Sequence, residues 1–397
     1  MLWALLAGNF AIGTGVMVAS ATLNEVSAFF QVPVPVAGYL ISVAALVVCL
    51  GAPTLAAAVA PFDRRKLLVL SMIWFGLLHA ACALVSDFTW LLALRVLAVI
   101  PAAVFTPQAA ACAGHLMPAE QRGRAITFVF LGWSLASVLG MPLNAWLSGM
   151  LGWQGAYGLV AVLSLASAVW VWLAMPHEVR PPRFSLASWG TAFRMPALML
   201  CVGVTLLYSA GQFVLFAYFA PYFRNALGAS VHQISALFMC FGAFGLLGNI
   251  LMSRFIDRLG APKGVLIASG AIALSMLLWP LGVTLVLAAV VMVPWALGCF
   301  AANSAQQARL VSLAPALAGG SVALNTSAMY AGQAIGTAIG GWMIAHDSMQ
   351  SLHTAGFVLL LAAMATSAWA ARVARHGAVA NAGATAAPAK VAAKHSA

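Results

Sequence analysis

Arg95 is the residue whose chemistry is hardest to ignore, because it stands where charge is most costly. It is the one ionised side chain in the run Trp90–Gly114. A guanidinium keeps its proton at any ordinary pH. Holding it at lipid depth is expensive unless it faces other helices or a water-filled cavity. Arg95 could bind an anionic or carbonyl-bearing group, or organise a network between helices. The plainer alternative is an arginine that snorkels to the nearby interface. His79 is the one histidine well inside an apolar run. Its near-neutral titration makes it a candidate for proton linkage, against the simpler role of a packing histidine.

Further polar residues lie at similar depth. Tyr208 and Gln212 are one helical turn apart; Trp133, Ser134 and Ser137 share one run; Asn303 with Gln306, and Tyr330 with Gln333, mark two others. Amides and hydroxyls at lipid depth must bond to something, so each contacts either a solute or a neighbouring helix. Together they suit a mostly apolar pocket with a few polar fixings. The candidate substrate-binding set is Arg95, Trp133, Ser137, Tyr208, Gln212, Asn303, Gln306, Tyr330 and Gln333. No buried nucleophile with a base is apparent, and no phosphate-binding G-x-x-x-x-G-K-[ST] loop occurs. The cysteines at 49, 82, 112, 201, 240 and 299 form no C-x-x-C pair or Cys/His cluster, which argues against a disulfide framework or a metal site. No enzyme activity, cofactor or metal is expected.

The elements that must position these residues follow from composition. Eighteen Lys or Arg and seven Asp or Glu make up 6% of 397 residues, and 64% are hydrophobic. A soluble chain carries about a quarter charged residues. The pattern predicts an all-α polytopic membrane protein with 12 transmembrane helices. The predicted spans are Leu2–Leu23, Val36–Ala60, Leu67–Val85, Trp90–Gly114, Ala125–Leu147, Trp153–Met175, Ala197–Tyr222, Val231–Phe255, Val265–Val283, Val286–Leu310, Gly319–Ala345 and His353–Ala371. They are continuous and about twice the length of barrel strands. Ala19-Ser20-Ala21 resembles a signal cleavage site, but no positive region precedes it and the apolar run is too long. The first run is therefore expected to remain, and the true start to lie upstream.

Lys and Arg concentrate in cytoplasmic loops. All but Arg95 and Arg224 fall in the even-to-odd connections or the tail, while Glu25, Asp87 and Asp347 fall in the others. Both termini are therefore expected to be cytoplasmic. The excess of positive charge reflects topology and contact with anionic lipid, and no nucleic-acid partner is expected. Asp63-Arg64 and Asp257-Arg258 each follow the second span of a set of six. This repetition predicts an N-terminal six-helix bundle over 1–175, a cytoplasmic linker over 176–195, a C-terminal bundle over 196–372 and a disordered tail over 373–397. Two such halves with a midplane site between them are one plan of secondary transporters.

Several short motifs carry a family resemblance. They are Phe62-Asp63-Arg64-Arg65-Lys66; Gly248 through Arg254 with Asp257, Arg258 and Gly260; Arg95 in its Leu-Leu-Ala-Leu-Arg context; Pro118 through Ala125; Gly140-Met141-Pro142 with Gly152-Trp153; and Asn325-Thr326-Ser327 with Gly332, Gly336, Gly340 and Gly341. Over residues 1–372 the chain resembles a major facilitator superfamily transporter. It is similar to the bacterial drug and sugar efflux branch of arabinose-efflux-permease-like and chloramphenicol-efflux-like proteins. It departs from that branch at Gly15-Val16, where relatives often have a Thr-Glu pair, at Asn144 in place of a glycine, and in lacking a glycine in the loop 2–3 motif.

The resemblance implies the major facilitator fold and alternating access, with gating at Asp63, Arg64, Asp257, Arg258, Gly140 and Pro142. Topology alone also accounts for the arginines, and helix packing for the glycines and Pro142. The resemblance further implies efflux of a small organic solute by proton antiport from a bacterial-type inner membrane, by a monomer in a lipid bilayer. No carboxylate lies inside a span, so His79, an interfacial acid such as Asp63, or the solute's own proton would have to couple transport to protons. An uncoupled facilitator, exchanger or importer, or a solute sensor that transports nothing, remain open.

Overall fold

A computed structural model describes residues 1–59, 61–118, 122–177, 179, 190, 192–314 and 317–392. Among the described residues every regular element is helical. Eleven helices are long and apolar enough to cross a membrane: α1 (Leu2–Ala21), α2 (Val34–Leu55), α3 (Arg64–Ala83), α4 (Phe88–Ala113), α5 (Phe128–Leu151), α6 (Trp153–Ala174), α7 (Pro196–Leu227), α8 (Val231–Ile256), α9 (Ala261–Leu281), α10 (Leu285–Leu313) and α12 (Met349–Arg375). The remaining expected span corresponds to α11 (Ala318–Ala345), 28 residues long. It does not join the eleven because glycines and the polar residues Asn325, Thr326, Ser327 and Gln333 dilute its apolar character. The last helix runs Leu352–Ala392. That stretch is alanine-rich, and alanine has the highest helix propensity.

Polar residues at the ends of the runs set where helices begin. Asp63 caps α3 by accepting from the Lys66 N–H at 3.0 Å. Asp87 caps α4 by accepting from Thr89 and Trp90. Ser230 and Gln233 form a reciprocal capping box on α8, and Thr284 caps α10. Each satisfies backbone donors that a helix start leaves unpaired. Prolines account for the irregular turns. Helix α4 is interrupted at Val99, just ahead of Pro101. A π-helical segment, Ala136–Gly140, precedes the part of α5 that contains Pro142. Proline offers no N–H to the carbonyl four residues back, and a wider turn accommodates the loss.

Two sets of six helices pack by the same rules. In the first, α1 lies against α5 and α6, and α3 against α6; in the second, α7 lies against α11 and α12, and α9 against α12. Across the set boundary, α2 meets α11 and α8 meets α5. The seams match residue for residue. A Cβ on Gly132 would meet Leu6, Asn9 and Phe10, and one on Gly332 would meet Leu206, Ser209 and Ala210. The two triplets are separated by one constant offset. Large apolar side chains cover the outside, including exposed Trp74, Trp170, Trp342 and Trp369, as lipid contact requires.

The seam predicts the cost of filling it. A Cβ on Gly332 would lie 2.7 Å from Ser209 Cβ, whereas one on Gly203 meets nothing within 4 Å. Gly332→Val is expected to destabilise the protein by about 1–3 kcal/mol through overpacking. Gly203→Ala is expected to leave stability unchanged or raise it by roughly 0.4–1 kcal/mol. Thermal unfolding of the detergent-solubilised variants checks both.

Candidate functional site

Arg95 is 1% exposed, and its guanidinium turns inward rather than to an interface. Nη1 donates to the Gly15 carbonyl at 2.8 Å and to His79 Nε2 at 3.0 Å. Nη2 donates to the Val16 carbonyl at 2.9 Å. Nε is buried and has no hydrogen-bond partner. The arginine thus ties α4 to α1 and α3. Since a guanidinium only donates, His79 Nε2 accepts. The Nδ1–H of His79 then donates to the Phe75 carbonyl at 2.7 Å. Both ring nitrogens are engaged in the neutral tautomer, and a second proton on Nε2 would point at the guanidinium. Phe75 and Tyr157 flank the imidazole, with ring centroids 4.2 and 5.8 Å away. Gly15 makes this cluster possible, because a Cβ there would run into Phe75 and Val160.

Arg95 reaches a cavity of about 60 Å³ between the two sets of six. From the first set it is bounded by Ser20 of α1, Ala44 and Val48 of α2, Arg95 and Val99 of α4, and Trp133 of α5. The second set contributes Phe213 and Phe216 of α7 with Tyr330 and Gln333 of α11. The volume is that of about two waters at liquid density, so a solute would have to widen it. A shallow groove of about 350 Å³ between α11 and α12, lined by Ile339, Thr354, Ala355, Val358 and Leu359, lies elsewhere. Its exposed Val358 belongs to the apolar outside of the bundle.

The structure gathers four of the nine candidate binding residues at this cavity: Arg95, Trp133, Tyr330 and Gln333. Trp133 also donates to Thr106 Oγ1 at 3.2 Å, and Thr106 donates to Asn9. The other five do not line it. Tyr208 and Asn325 both donate to Asn303 Oδ1, at 3.5 and 3.0 Å. Gln212 accepts from Trp295 Nε1 at 3.2 Å. Gln306 donates to the Cys201 carbonyl. Ser137 is buried in the π-helical segment, where its backbone packs against Gly242 of α8. Ser20, Phe213 and Phe216 were not among the candidates. Ser20 drew notice only as part of a cleavage-like tripeptide, and a phenylalanine in an apolar run carries no signal of its own.

The expected gating residues have varied surroundings. Asp63 caps its helix, and Arg64 donates to the carbonyls of Val59 and Phe62. Neighbouring Arg65 bonds the Trp172 carbonyl and His177, with its guanidinium carbon 4.2 Å from the Trp172 ring centroid. Arg258 is exposed, and the side chain of Asp257 lies outside the described residues. A Cβ on Gly140 would meet Thr14 of α1, so Gly140 and the adjacent Pro142 mark a tight seam.

The one salt bridge among the described residues was not foreseen. Arg224 Nη2 lies 2.6 Å from Glu25 Oε1, and Ser148 donates to the other Glu25 oxygen at 3.3 Å. This joins the α1–α2 connection to the C-terminal end of α7, and so joins the two sets. Elsewhere between the two sets, a Cβ on Gly38 of α2 would meet the Tyr218 hydroxyl of α7, and one on Gly149 of α5 would meet Val231 of α8.

The family profile of the Major Facilitator Superfamily matches residues 5–326 and 203–396. The chain is 24% identical to the uncharacterized MFS-type transporter YbcL of Bacillus subtilis, over 90% of this chain and 92% of that protein. It is 28% identical to the inner membrane transport protein YdhP of Escherichia coli K12, over 86% and 88%. It is 24% identical to a probable sugar efflux transporter of Pasteurella multocida, over 88% and 86%. A bacterial homologue of the human lysosomal transporter Spinster, solved in an inward-facing and occupied conformation, superposes with a TM-score of 0.76 at 20% identity. That match covers 94% of this chain and 96% of the other, and shows a shared fold.

The Arg95–His79 pair predicts a non-additive mutant cycle. His79→Leu is expected to cost roughly 1–3 kcal/mol, because a buried Arg95 N–H loses its acceptor. Arg95→Leu combined with His79→Leu is expected to cost less than the two single changes added together. Unfolding midpoints of the four proteins measure the coupling.

Proposed function

The chain belongs to the Major Facilitator Superfamily, and from that premise we propose that it exports a small organic solute by alternating access around the cavity at Arg95. It is a multi-pass membrane protein of a transporter family and not an enzyme. The carrying observation is that one small cavity is walled by both six-helix sets. Rocking of one set against the other would open it to each side in turn. In this reading α11 is the twelfth span, both termini are cytoplasmic, and the Glu25–Arg224 bridge closes the outer end. Arg95, Trp133, Tyr330 and Gln333 contact the solute. Tyr208, Asn303, Gln212, Gln306 and Ser137 hold the helices that carry those residues. The pathway runs through a single chain, so a monomer in the inner membrane is the working unit. Export is supported by the similarity to a probable sugar efflux transporter.

Proton antiport is the expected driving step. A second reading, uncoupled exchange or facilitation, is favoured by two observations: among the described residues no carboxylate lines the cavity, and both nitrogens of His79 are engaged. A broad export screen in a drug-sensitive host, repeated with the pH gradient collapsed by a protonophore, separates them. Antiport predicts export against a gradient that is lost on collapse, and facilitation predicts only downhill efflux, unchanged by collapse. If cells containing the inserted protein match vector controls for every compound, the export reading fails.

Alternating access makes a prediction at the bridge. With Glu25→Cys and Arg224→Cys combined, oxidation is expected to arrest flux in proteoliposomes, and a reductant is expected to restore it. Flux that continues through a verified cross-link would show that this end need not open.

A further inference from the structure

We propose that the cavity recognises its solute through a carboxylate, seated on the unused edge of Arg95, and that the solute class is small organic acids with an apolar body. This rests on the transport reading and specifies what that site takes.

The argument begins with the arginine's donors. A guanidinium has five N–H groups. Nη1 spends two, on Gly15 and His79, and Nη2 spends one on Val16. One Nη2 donor and the Nε donor are left, and Nε is buried with no partner. Along the Nε–Nη2 edge of the plane, two N–H bonds run parallel, spaced to meet both oxygens of one carboxylate. The bonds already made are to carbonyls and a neutral imidazole, which orient the cation without neutralising it. The one salt bridge among the described residues is elsewhere, at Glu25. A desolvated cation without a counter-charge is a strong acceptor for an anion.

The rest of the lining agrees. The Ser20 and Tyr330 hydroxyls and the Gln333 amide border the same cavity and make no hydrogen bond among the described residues. All three can donate to an anion. Phe213, Phe216 and Val48 supply the remaining wall. They keep bulk water from screening the pair and suit an apolar body. A cationic solute would be placed against the guanidinium. A polyol would leave most of its hydroxyls facing hydrocarbon, at a cost for each unpaired group.

The test uses matched probes on the purified full-length protein: benzoate, benzamide and benzylamine, with hexanoate, hexanamide and hexylamine as an aliphatic series. Binding is read by calorimetry at neutral pH. Both carboxylates are expected to bind, their amides at least about tenfold more weakly, and the amines not at all. Arg95→Gln is expected to weaken carboxylate binding by about tenfold or more and amide binding by a distinctly smaller factor. Tyr330→Phe and Gln333→Leu should each weaken it by a smaller factor. The comparison within the wild-type protein needs no variant to fold. Amides that bind as tightly as carboxylates, a preference for amines, or no carboxylate binding by folded protein would each overturn the assignment. Failure of the transport reading looks different: Arg95-dependent carboxylate binding with no flux in sealed proteoliposomes removes transport and keeps the anion site. Export of a neutral or cationic compound unaffected by Arg95→Gln does the reverse.

Discussion

Hydrocarbon supplies no hydrogen-bond partner, so each polar group taken into the membrane must find one inside the protein. That constraint explains most of the side-chain geometry. Asn9 donates to the Val129 carbonyl, Asn144 to the Thr14 carbonyl, and Ser209 to the Met329 carbonyl. Thr205 donates to Asn325 at 2.6 Å, and Tyr218 to the Thr337 carbonyl at 2.9 Å. These bonds run between helices that already touch and fix their register. Arg95 obeys the same rule only in part, since it is held by three acceptors and keeps an edge unspent. It is one of several places where the rule is incompletely satisfied, with Asn144 Oδ1, Gln306 Oε1 and Tyr157 Oη among the others.

The two six-helix sets share packing but differ in what fills comparable junctions. Where α4 meets α1 and α3, the filling is polar: Arg95, His79 and two backbone carbonyls. Where α10 meets α7 and α9, it is aromatic. Trp295 lies 4.9 Å from Phe219 and 6.0 Å from Trp279, centroid to centroid, and Phe219 stacks on Trp279 at 5.7 Å. The first junction carries a fixed charge and a specific hydrogen-bond pattern. The second carries bulk and ring-to-ring contact, with one bond to Gln212 as its polar handle. Of these residues only Arg95 borders the cavity, whose second-half lining is Phe213, Phe216, Tyr330 and Gln333.

Much of this was legible in the chain. Spans follow from unbroken apolar runs, and the importance of Arg95 follows from its being alone in one of them. What sequence could not supply was pairing across long separations. Glu25 and Arg224 read as two separate loop charges that bear only on topology, and only the fold brings them to 2.6 Å. The polar midplane residues looked equivalent because depth alone does not say which face of a helix a residue occupies. Gln333 meets the cavity, whereas Gln306 bonds its neighbour's backbone. Asp63 was read as half of a gate from its motif, and its carboxylate is used to start a helix.

The matching glycine seams at Gly132 and Gly332 separate two kinds of position with different freedom to change. Seam positions serve the architecture, and an added methyl there disturbs a whole helix pair. Lining positions such as Phe213, Phe216 and Ser20 border an open volume on one side, even where, as at Phe216, the other side packs against Phe219 and Phe241. A doubled scaffold of this kind can vary its ligand chemistry one wall at a time. One half can keep an ancestral contact while the other drifts, so a change of cargo need not pass through a misfolded intermediate.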